Sequence, residues 1–495
     1  MLFPTTAFAL FYAAVLLLWW TVPARWSLAR KCLLLGANLF FYAWWSWRFA
    51  LLLLASAFLN QTFARAIARR DDRASRVRLV RLGVAANLAL LAFFKYAAFL
   101  VMDAFSPVAA AVCRAIGPEA LSAFVDFQTE RSIPFVQSIV LPIGISFYTF
   151  QAVAYLVDVG RGVCRPARAA IDFANYLAFF PKLCAGPIAR PAELLPQMEE
   201  PPRDGSRVDA GRALWLVVFG LFKKTVLANF LAERLVDPFF SHAASAGAWD
   251  ALLGAWGYSV QLYLDFSAYA DMAVGLSLLL GFALPVNFDA PYFSSTLQEF
   301  WRRWHISLSS WLRDYLYIPL GGSRRGPART QLNLFLTMLL GGLWHGAGWM
   351  FLLWGALHGA YLAAERRVLR RLGPDRAPAS AASRFVGRIW TFHVVTALWI
   401  FFRCGTGGLG LDGAREVFGA FLRPGEPSIL LSGKAVAILA AGFLCQFSDA
   451  ARPRALWDRL GRLPAPALGA LGALALALVL GLGPSGVPAF IYFQF

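Results

Sequence analysis

The sequence is short of charge and shorter still of acid: its 495 residues include 28 Asp and Glu against 46 Lys and Arg, charged residues make up 15%, and there are five histidines. Set against 59% hydrophobic residues and a mean hydropathy of +0.57, this scarcity excludes an ordinary soluble domain, because the apolar surface exceeds what one core can hide. The six cysteines, Cys32, Cys113, Cys164, Cys184, Cys404 and Cys445, form no C-x-x-C pair and have no histidine at metal-ligand spacing. Neither a zinc site nor a disulfide framework is expected. No internal repeat, low-complexity tail or Gly/Ser linker divides the chain, so 1–495 is expected to be a single membrane domain. No basic segment precedes the first apolar run at 7–20 and no small-residue cleavage site follows it, which points to a retained span rather than a leader.

A net charge of +18 and a pI near 10.1 could suggest a nucleic-acid partner. The cations, however, sit in short clusters between long apolar runs, as in the loops of a membrane protein, and no nucleic acid is expected. A bilayer core takes about 20 apolar residues of helix. Runs of that order fall near 4–22, 29–46, 49–67, 79–103, 134–157, 209–235, 250–283, 331–345, 347–365, 387–403, 434–449 and 466–483. The fold class is therefore all-α, with about 11–12 membrane helices.

The Lys/Arg bias of the loops sets the orientation. Arg25, Arg30 and Lys31, then the cations of 65–81, 161–168, 366–376 and 452–462, share one side, which should be the cytoplasm. The loops around Trp47, 107–133, His242 and 405–432 carry few cations and should face outward. Two stretches are broken or amphipathic. Residues 171–197 contain FFPKLCAGP at 179–187, whose prolines interrupt a helix in mid-run, so a re-entrant element is expected. Residues 291–326 set Trp301, Trp304 and Trp311 beside Arg302, Arg303 and Arg313, as in helices lying at the cytoplasmic interface.

Between Thr330 and Glu365 no residue is acidic, Lys or Arg, and the run is shorter than the roughly 40 residues two full spans need. Its turn should lie below the far surface. Gly341, Gly342, Gly346 and Gly348 loosen the backbone there, and His345 sits among them between Trp344 and Trp349. An ionisable side chain within a membrane is costly, and an imidazole can take a proton from a hydroxyl and return it to a leaving thiolate. His345 is thus either a catalytic base or a hydrogen-bonding link between two helices.

His305 could orient a thioester or support His345, or could simply bond Ser307 or Ser309. His358 is expected to be structural, and His242 and His393 have nothing convergent nearby. Arg302, Arg303, Arg313, Arg324 and Arg325 could fork onto the phosphates of coenzyme A or only serve topology and membrane lipid headgroups. The run Gln261, Tyr263, Asp265, Ser267, Tyr269 and Asp271 makes one apolar helix polar in its middle. That suits a polar cavity, a transporter pathway or pairing with a neighbouring helix.

Several motifs, in order, resemble the membrane-bound O-acyltransferases and, within them, the bacterial alginate O-acetyltransferase-like branch. They are LPIGISFYTFQ at 141–151, FPK at 180–182 through GPI at 186–188, LDFSAY at 264–269 with Asp271, Asn287-Phe288, Pro291-Tyr292, FWRRWHISLS at 300–309, YIPLGG at 317–322 and Trp344-His345-Gly346. The likeness spans roughly 4–364 and weakens beyond. It implies a catalytic core over 134–365 with a central tunnel, His345 as the intramembrane catalytic histidine and His305 as the second histidine of the site. Arg302, Arg303, Trp304, Asp265, Trp344 and Ser307 are then candidates for binding donor or substrate. The resemblance further implies acetyl-CoA or another acyl thioester as donor substrate, with no bound cofactor. The acceptor would be an extracytoplasmic polysaccharide hydroxyl or a periplasmic partner protein, and the location the bacterial inner membrane. The outward loops, of about thirty residues, are too short for a fused acceptor domain, so a separate partner is expected. The H-x-x-x-x-D pair of glycerolipid acyltransferases is absent at all five histidines. A transporter, or an anchor for a secretion complex, is the competing reading.

Overall fold

The computed structural model describes residues 3–201, 204–205, 208–372, 380–424, 432–448 and 454–482. Arg376, Arg452, the ends of the last two expected spans at 449 and 483, and part of the expected 405–432 loop lie outside the described residues.

Helices cover all twelve expected spans, and the described residues include no strand. The first four are α1 (Thr6–Thr21), α2 (Ser27–Ala43), α3 (Trp47–Ala68) and α4 (Arg73–Ala98), the last running on without interruption to Ile116. After two short helices, Ser106–Ile116 and Pro118–Phe127, come α5 (Ile145–Arg161), then α6 (Ala170–Ala178), α7 (Phe180–Leu183) and α8 (Pro191–Glu199). Helix α9 (Ala210–Leu221) continues through wide turns to Ser241 and is followed by α10 (Ala248–Leu279). Short helices α11 (Leu297–Arg303) and α12 (Ile306–Leu312) lead to the hairpin α13 (Gly326–His345) and α14 (Trp349–Leu372). The described chain closes with α15 (Ala381–Thr406), α16 (Gly433–Leu444) and α17 (Ala465–Leu482). Among the described residues, five helices are long and apolar enough to cross a membrane, and three shorter apolar ones accompany them. This is a polytopic all-α membrane protein.

Local signals explain where several helices start. The side chains of Thr5, Asp72, Thr296 and Ser380 each accept the backbone N–H three residues on. These are N-caps that satisfy otherwise orphaned donors. One expected span begins late: the run expected over 134–157 holds a short helix at Ile133–Gln137 and resumes only at Ile145. Pro142 and Gly144 break it. Gly144 takes φ +76°, and a Cβ there would come within 2.4 Å of the Leu183 carbonyl oxygen, so only glycine lets α5 start this close to the end of α7.

Helix α10 is the axis of the bundle: 94% of its apolar window is buried, against 17% for the 73–116 helix, which shows most of its surface outward. The first helix closes one end of this axis. Tyr12 Oη donates to the Leu276 carbonyl at 2.7 Å, and the indoles of Trp19 and Trp20 donate to those of Leu280 and Leu279 at 3.0 Å. Beside α10, the wide turns at Phe222–Ala228 carry two adjacent lysines inward. Lys224 Nζ lies 2.5 Å from Asp265 and Lys223 Nζ 2.6 Å from Asp271, with Ser267 accepting from Lys223 at 2.8 Å.

The broken stretch α6–α7–α8 is buried almost throughout, and its interrupted backbone is satisfied by side chains. Asn38 accepts from the Phe180 N–H at 2.9 Å and donates to Asn175, which in turn donates to the Lys31 carbonyl. Tyr176 Oη donates to the Ala189 carbonyl at 2.9 Å, and the buried Lys182 donates to Gln151. Irregular backbone is tolerated at such depth where side chains partner the groups a break frees, as Asn38 and Tyr176 do here.

Removing one member of a buried ion pair strands the other charge. Asp271→Ala should therefore cost about 3–5 kcal/mol in a detergent unfolding assay, while Asp271→Leu combined with Lys223→Met should recover most of it. Equal loss in the single and double variants would contradict this reading of the pair.

Candidate active site

Two cavities approach the α13–α14 hairpin from opposite ends of the bundle. At the end where the basic loops gather, a cavity of about 350 Å³ is walled by Trp301, Arg302, Arg313, Tyr317, Met338 and Arg366. At the other end, a cavity of about 230 Å³ is lined by Trp45, Lys95, Gly144, Ser146, Trp344 and His345. Both touch α13: Leu334, Thr337 and Met338 face the first, Trp344 and His345 the second. Seven residues of helix separate Met338 from His345, about 10 Å of rise. Between the cavities stands an aromatic partition. Phe150 stacks on Trp311 with ring centres 3.7 Å apart, and Trp344 packs on Phe150 at 5.2 Å and Phe147 at 5.4 Å.

His345 is the last residue of α13 rather than part of the turn, which is made by 346–348. It is 4% exposed, and its ring lies edge-on to Trp344, Trp354 and Phe402 at 5.0, 5.2 and 5.5 Å. The hairpin is held close by small residues: a Cβ on Gly342 would meet the Phe351 carbonyl oxygen at 2.3 Å.

His305 begins α12 with φ +42°, a left-handed conformation that costs a residue with a side chain about 1–3 kcal/mol. The loop from α10 pins it there. The Ile306 N–H donates to the Asn287 carbonyl at 2.9 Å, and the Ser307 N–H and hydroxyl both donate to Asn287 Oδ1, at 3.1 and 2.9 Å. Because a backbone N–H can only donate, Asn287 presents oxygen on that side, and His305 Nδ1, 3.1 Å from the same oxygen, must carry its proton. Nε2 is left with a lone pair, buried and without a hydrogen-bond partner among the described residues. The His305 ring is 6.3 Å from Trp344 and 6.4 Å from Phe147, so both histidines adjoin Trp344.

The other residues singled out from the sequence divide. Arg302 and Arg313 line the basic-end cavity and Trp344 lines the opposite one. Arg303 instead pairs with Glu299 at 2.8 Å and Asp289 at 3.7 Å. Trp304 is core, packed on Phe288, Phe300 and Trp399, and Asp265 is held by Lys224. Ser307 braces the site, accepting the Ile188 N–H at 2.9 Å while donating to Asn287. Ion-paired as they are, Asp265 and Asp271 lend the transporter reading no polar pathway of their own. His358 is fully buried between Trp301 and Trp354, with neither ring nitrogen bonded among the described residues. His242 and His393 each bond a carbonyl of their own helical turn. Sequence reasoning missed Asn287 as the partner of His305, and it missed Lys95. A single lysine inside the apolar run LLAFFKYAAFLV at 90–101 was the available signal.

An imidazole in the wall of one cavity, about 10 Å along its helix from a second, arginine-walled one, sets a group capable of proton exchange near both cavities of an all-helical membrane protein. The model of the membrane-bound O-acyltransferase family matches residues 168–404. The chain is 40% identical over 430 residues to the probable alginate O-acetylase AlgI of Azotobacter vinelandii, covering 86% of this chain and 79% of that protein. It is 34% identical to a peptidoglycan O-acetyltransferase of Helicobacter pylori, with 77% and 72% covered. It is 29% identical to the teichoic acid D-alanyltransferase of Streptococcus thermophilus, with 56% and 71% covered. This chain belongs to the membrane-bound O-acyltransferase family and is an O-acyltransferase.

Asn287→Ala frees the His305 ring from its orienting partner. Transfer activity in purified protein should fall about 10- to 100-fold, the usual cost of losing such support. Full activity in a folded Asn287→Ala protein would show that the orientation of His305 is immaterial.

Proposed function

We propose that this protein is an O-acetyltransferase of the bacterial inner membrane, moving an acetyl group from cytoplasmic acetyl-CoA to a hydroxyl of an extracytoplasmic polysaccharide, directly or by way of a periplasmic partner protein. The observation that carries the proposal is the placement of His345: it lines the cavity remote from the basic loops, about 10 Å along one helix from the arginine-walled cavity. By the bias of the loops, the arginine cavity opens to the cytoplasm, where coenzyme A occurs. Arg302, Arg313 and Arg366 supply the forked donors that suit its phosphates. The relatives named as acetyltransferases of alginate and peptidoglycan support acetyl as the group moved and a glycan as its destination.

In the proposed reaction the acceptor hydroxyl enters the far cavity and gives its proton to His345 as its oxygen attacks the thioester carbonyl. The new C–O bond forms, the C–S bond breaks, and the leaving thiolate takes the proton back from His345. The ester remains in the far cavity, the thiol in the arginine cavity. The lone pair of His305 Nε2 and the indole N–H of Trp344, buried and without a hydrogen-bond partner among the described residues, flank the route of the thioester. The aromatic partition keeps that route free of bulk water, so the thioester meets the acceptor rather than hydrolysis.

With labelled acetyl-CoA and purified protein in detergent, His345→Ala should lower transfer by at least about 100-fold. Arg302→Ala with Arg313→Ala should raise KM for the donor while kcat changes little. Wild-type transfer by His345→Ala would overturn the proposal.

A further inference from the structure

The end of α13 is not held by its own helix. The last carbonyls of any helix lack intrahelical donors, and here even the closing bond, from the Gly346 N–H to the Gly342 carbonyl, is long at 3.4 Å. The missing donors come from α4, on the order of 250 residues earlier in the chain. Tyr96 Oη donates to the Leu343 carbonyl at 2.9 Å. The Lys95 ammonium donates to the next two, Trp344 at 2.6 Å and His345 at 3.1 Å. Three consecutive carbonyls, ending at His345 itself, are thus gripped by two consecutive residues of another helix.

Lys95 is placed for more than filling a gap. A lysine on a membrane helix ordinarily extends its stem to bring the ammonium to the headgroups. This one turns inward, into the wall of the cavity that holds His345. Its nitrogen lies 5.7 Å from the centre of the Trp344 ring and 3.5 Å from Ser146 Oγ at the start of α5. A cation at a helix C-terminus also complements the negative end of the helix dipole. One ammonium therefore fixes the backbone of His345, the ring of the tryptophan before it, and the distance from both to α5.

We propose that Lys95, with Tyr96, is a positioning residue for acyl transfer: it clamps the C-terminal turn of α13 so that the His345 imidazole is held against the acceptor cavity. The inference rests on the reading of His345 as the base. Lys95 shares the wall of the acceptor cavity, but its ammonium is engaged by the Trp344 and His345 carbonyls, so it acts on the reaction through the backbone of His345. Its loss lets the turn shift, and a displacement of about 1 Å is enough to cost about 100-fold in rate. Binding of the donor, which takes place at the arginine cavity, is untouched. Lys95→Arg keeps a donor that can serve two carbonyls in parallel.

The test is steady-state transfer from labelled acetyl-CoA by the full chain in nanodiscs, with thermal midpoints measured alongside. Lys95→Met should lose about 10- to 100-fold in kcat with KM for acetyl-CoA within twofold, in a protein that still unfolds in one cooperative transition, its midpoint lowered because two carbonyls lose their donor. Lys95→Arg should restore most of the loss. Tyr96→Phe, which removes one hydroxyl and keeps the ring, should lose about fivefold, and the double variant should lose less than the product of the two because both act on one turn. A folded Lys95→Met protein with wild-type kcat, or one whose KM rises in step with its fall in kcat, overturns the clamp. So does wild-type kcat in Tyr96→Phe, which remains decisive if Lys95→Met fails to fold. His345→Ala, run in parallel, separates the two claims: activity there removes the base itself, whereas an inactive His345→Ala beside a fully active Lys95→Met removes only the clamp.

Discussion

A helix that stops among buried side chains exposes carbonyls no water can reach, and each must be met by a donor from elsewhere or the helix will not stop there. The end of α13 is such a place. The capping of Leu343, Trp344 and His345 by Tyr96 and Lys95 fixes where the chain turns back into α14, and with that the position of the imidazole that lines the neighbouring cavity. The same constraint shapes the rest of the bundle. Asn38 and Tyr176 answer the broken backbone of α6–α7, Trp19 and Trp20 close the end of α10, and Asn287 catches the backbone at the start of α12.

Those caps come from residues far apart in the chain, which makes the site a property of the whole bundle. Lys95 belongs to α4, Asn287 to the loop after α10, Ser146 and the partition ring Phe150 to α5. The buried ion pairs of Lys223 and Lys224 with Asp271 and Asp265 are a different device. They hold the turns after α9 against α10 without lining either of these cavities, so their burial is explained by packing alone. Lys95, by contrast, lies in the wall of the cavity that His345 lines.

Much of the fold was legible in the sequence because a membrane helix must be apolar along its length, and twelve such runs announced themselves. The late start of α5 was not, since Pro142 and Gly144 matter only through the carbonyl of Leu183 that Gly144 must approach. His345 was legible as an ionisable side chain in a run without Asp, Glu, Lys or Arg. The two roles of the arginines were not: Arg302 and Arg303 are neighbours of the same type, and only the fold turns one to the cavity and the other to Glu299 and Asp289. Asp265 and Asp271 could be seen to need partners, but Lys223 and Lys224, some forty residues earlier, could not be assigned to them without the packing of α9 on α10.

Everything in the proposed chemistry depends on donor and acceptor meeting through the protein from opposite faces of a sealed bilayer. The most direct measurement uses proteoliposomes of scored orientation, with labelled acetyl-CoA confined to the face bearing the basic loops and a hydroxyl-bearing glycan acceptor, with any periplasmic partner it needs, confined to the other. Label on the glycan while the vesicles remain sealed is the expected result. Label that reaches the glycan only after the vesicles are opened, or that is transferred only when both substrates share one face, would contradict it.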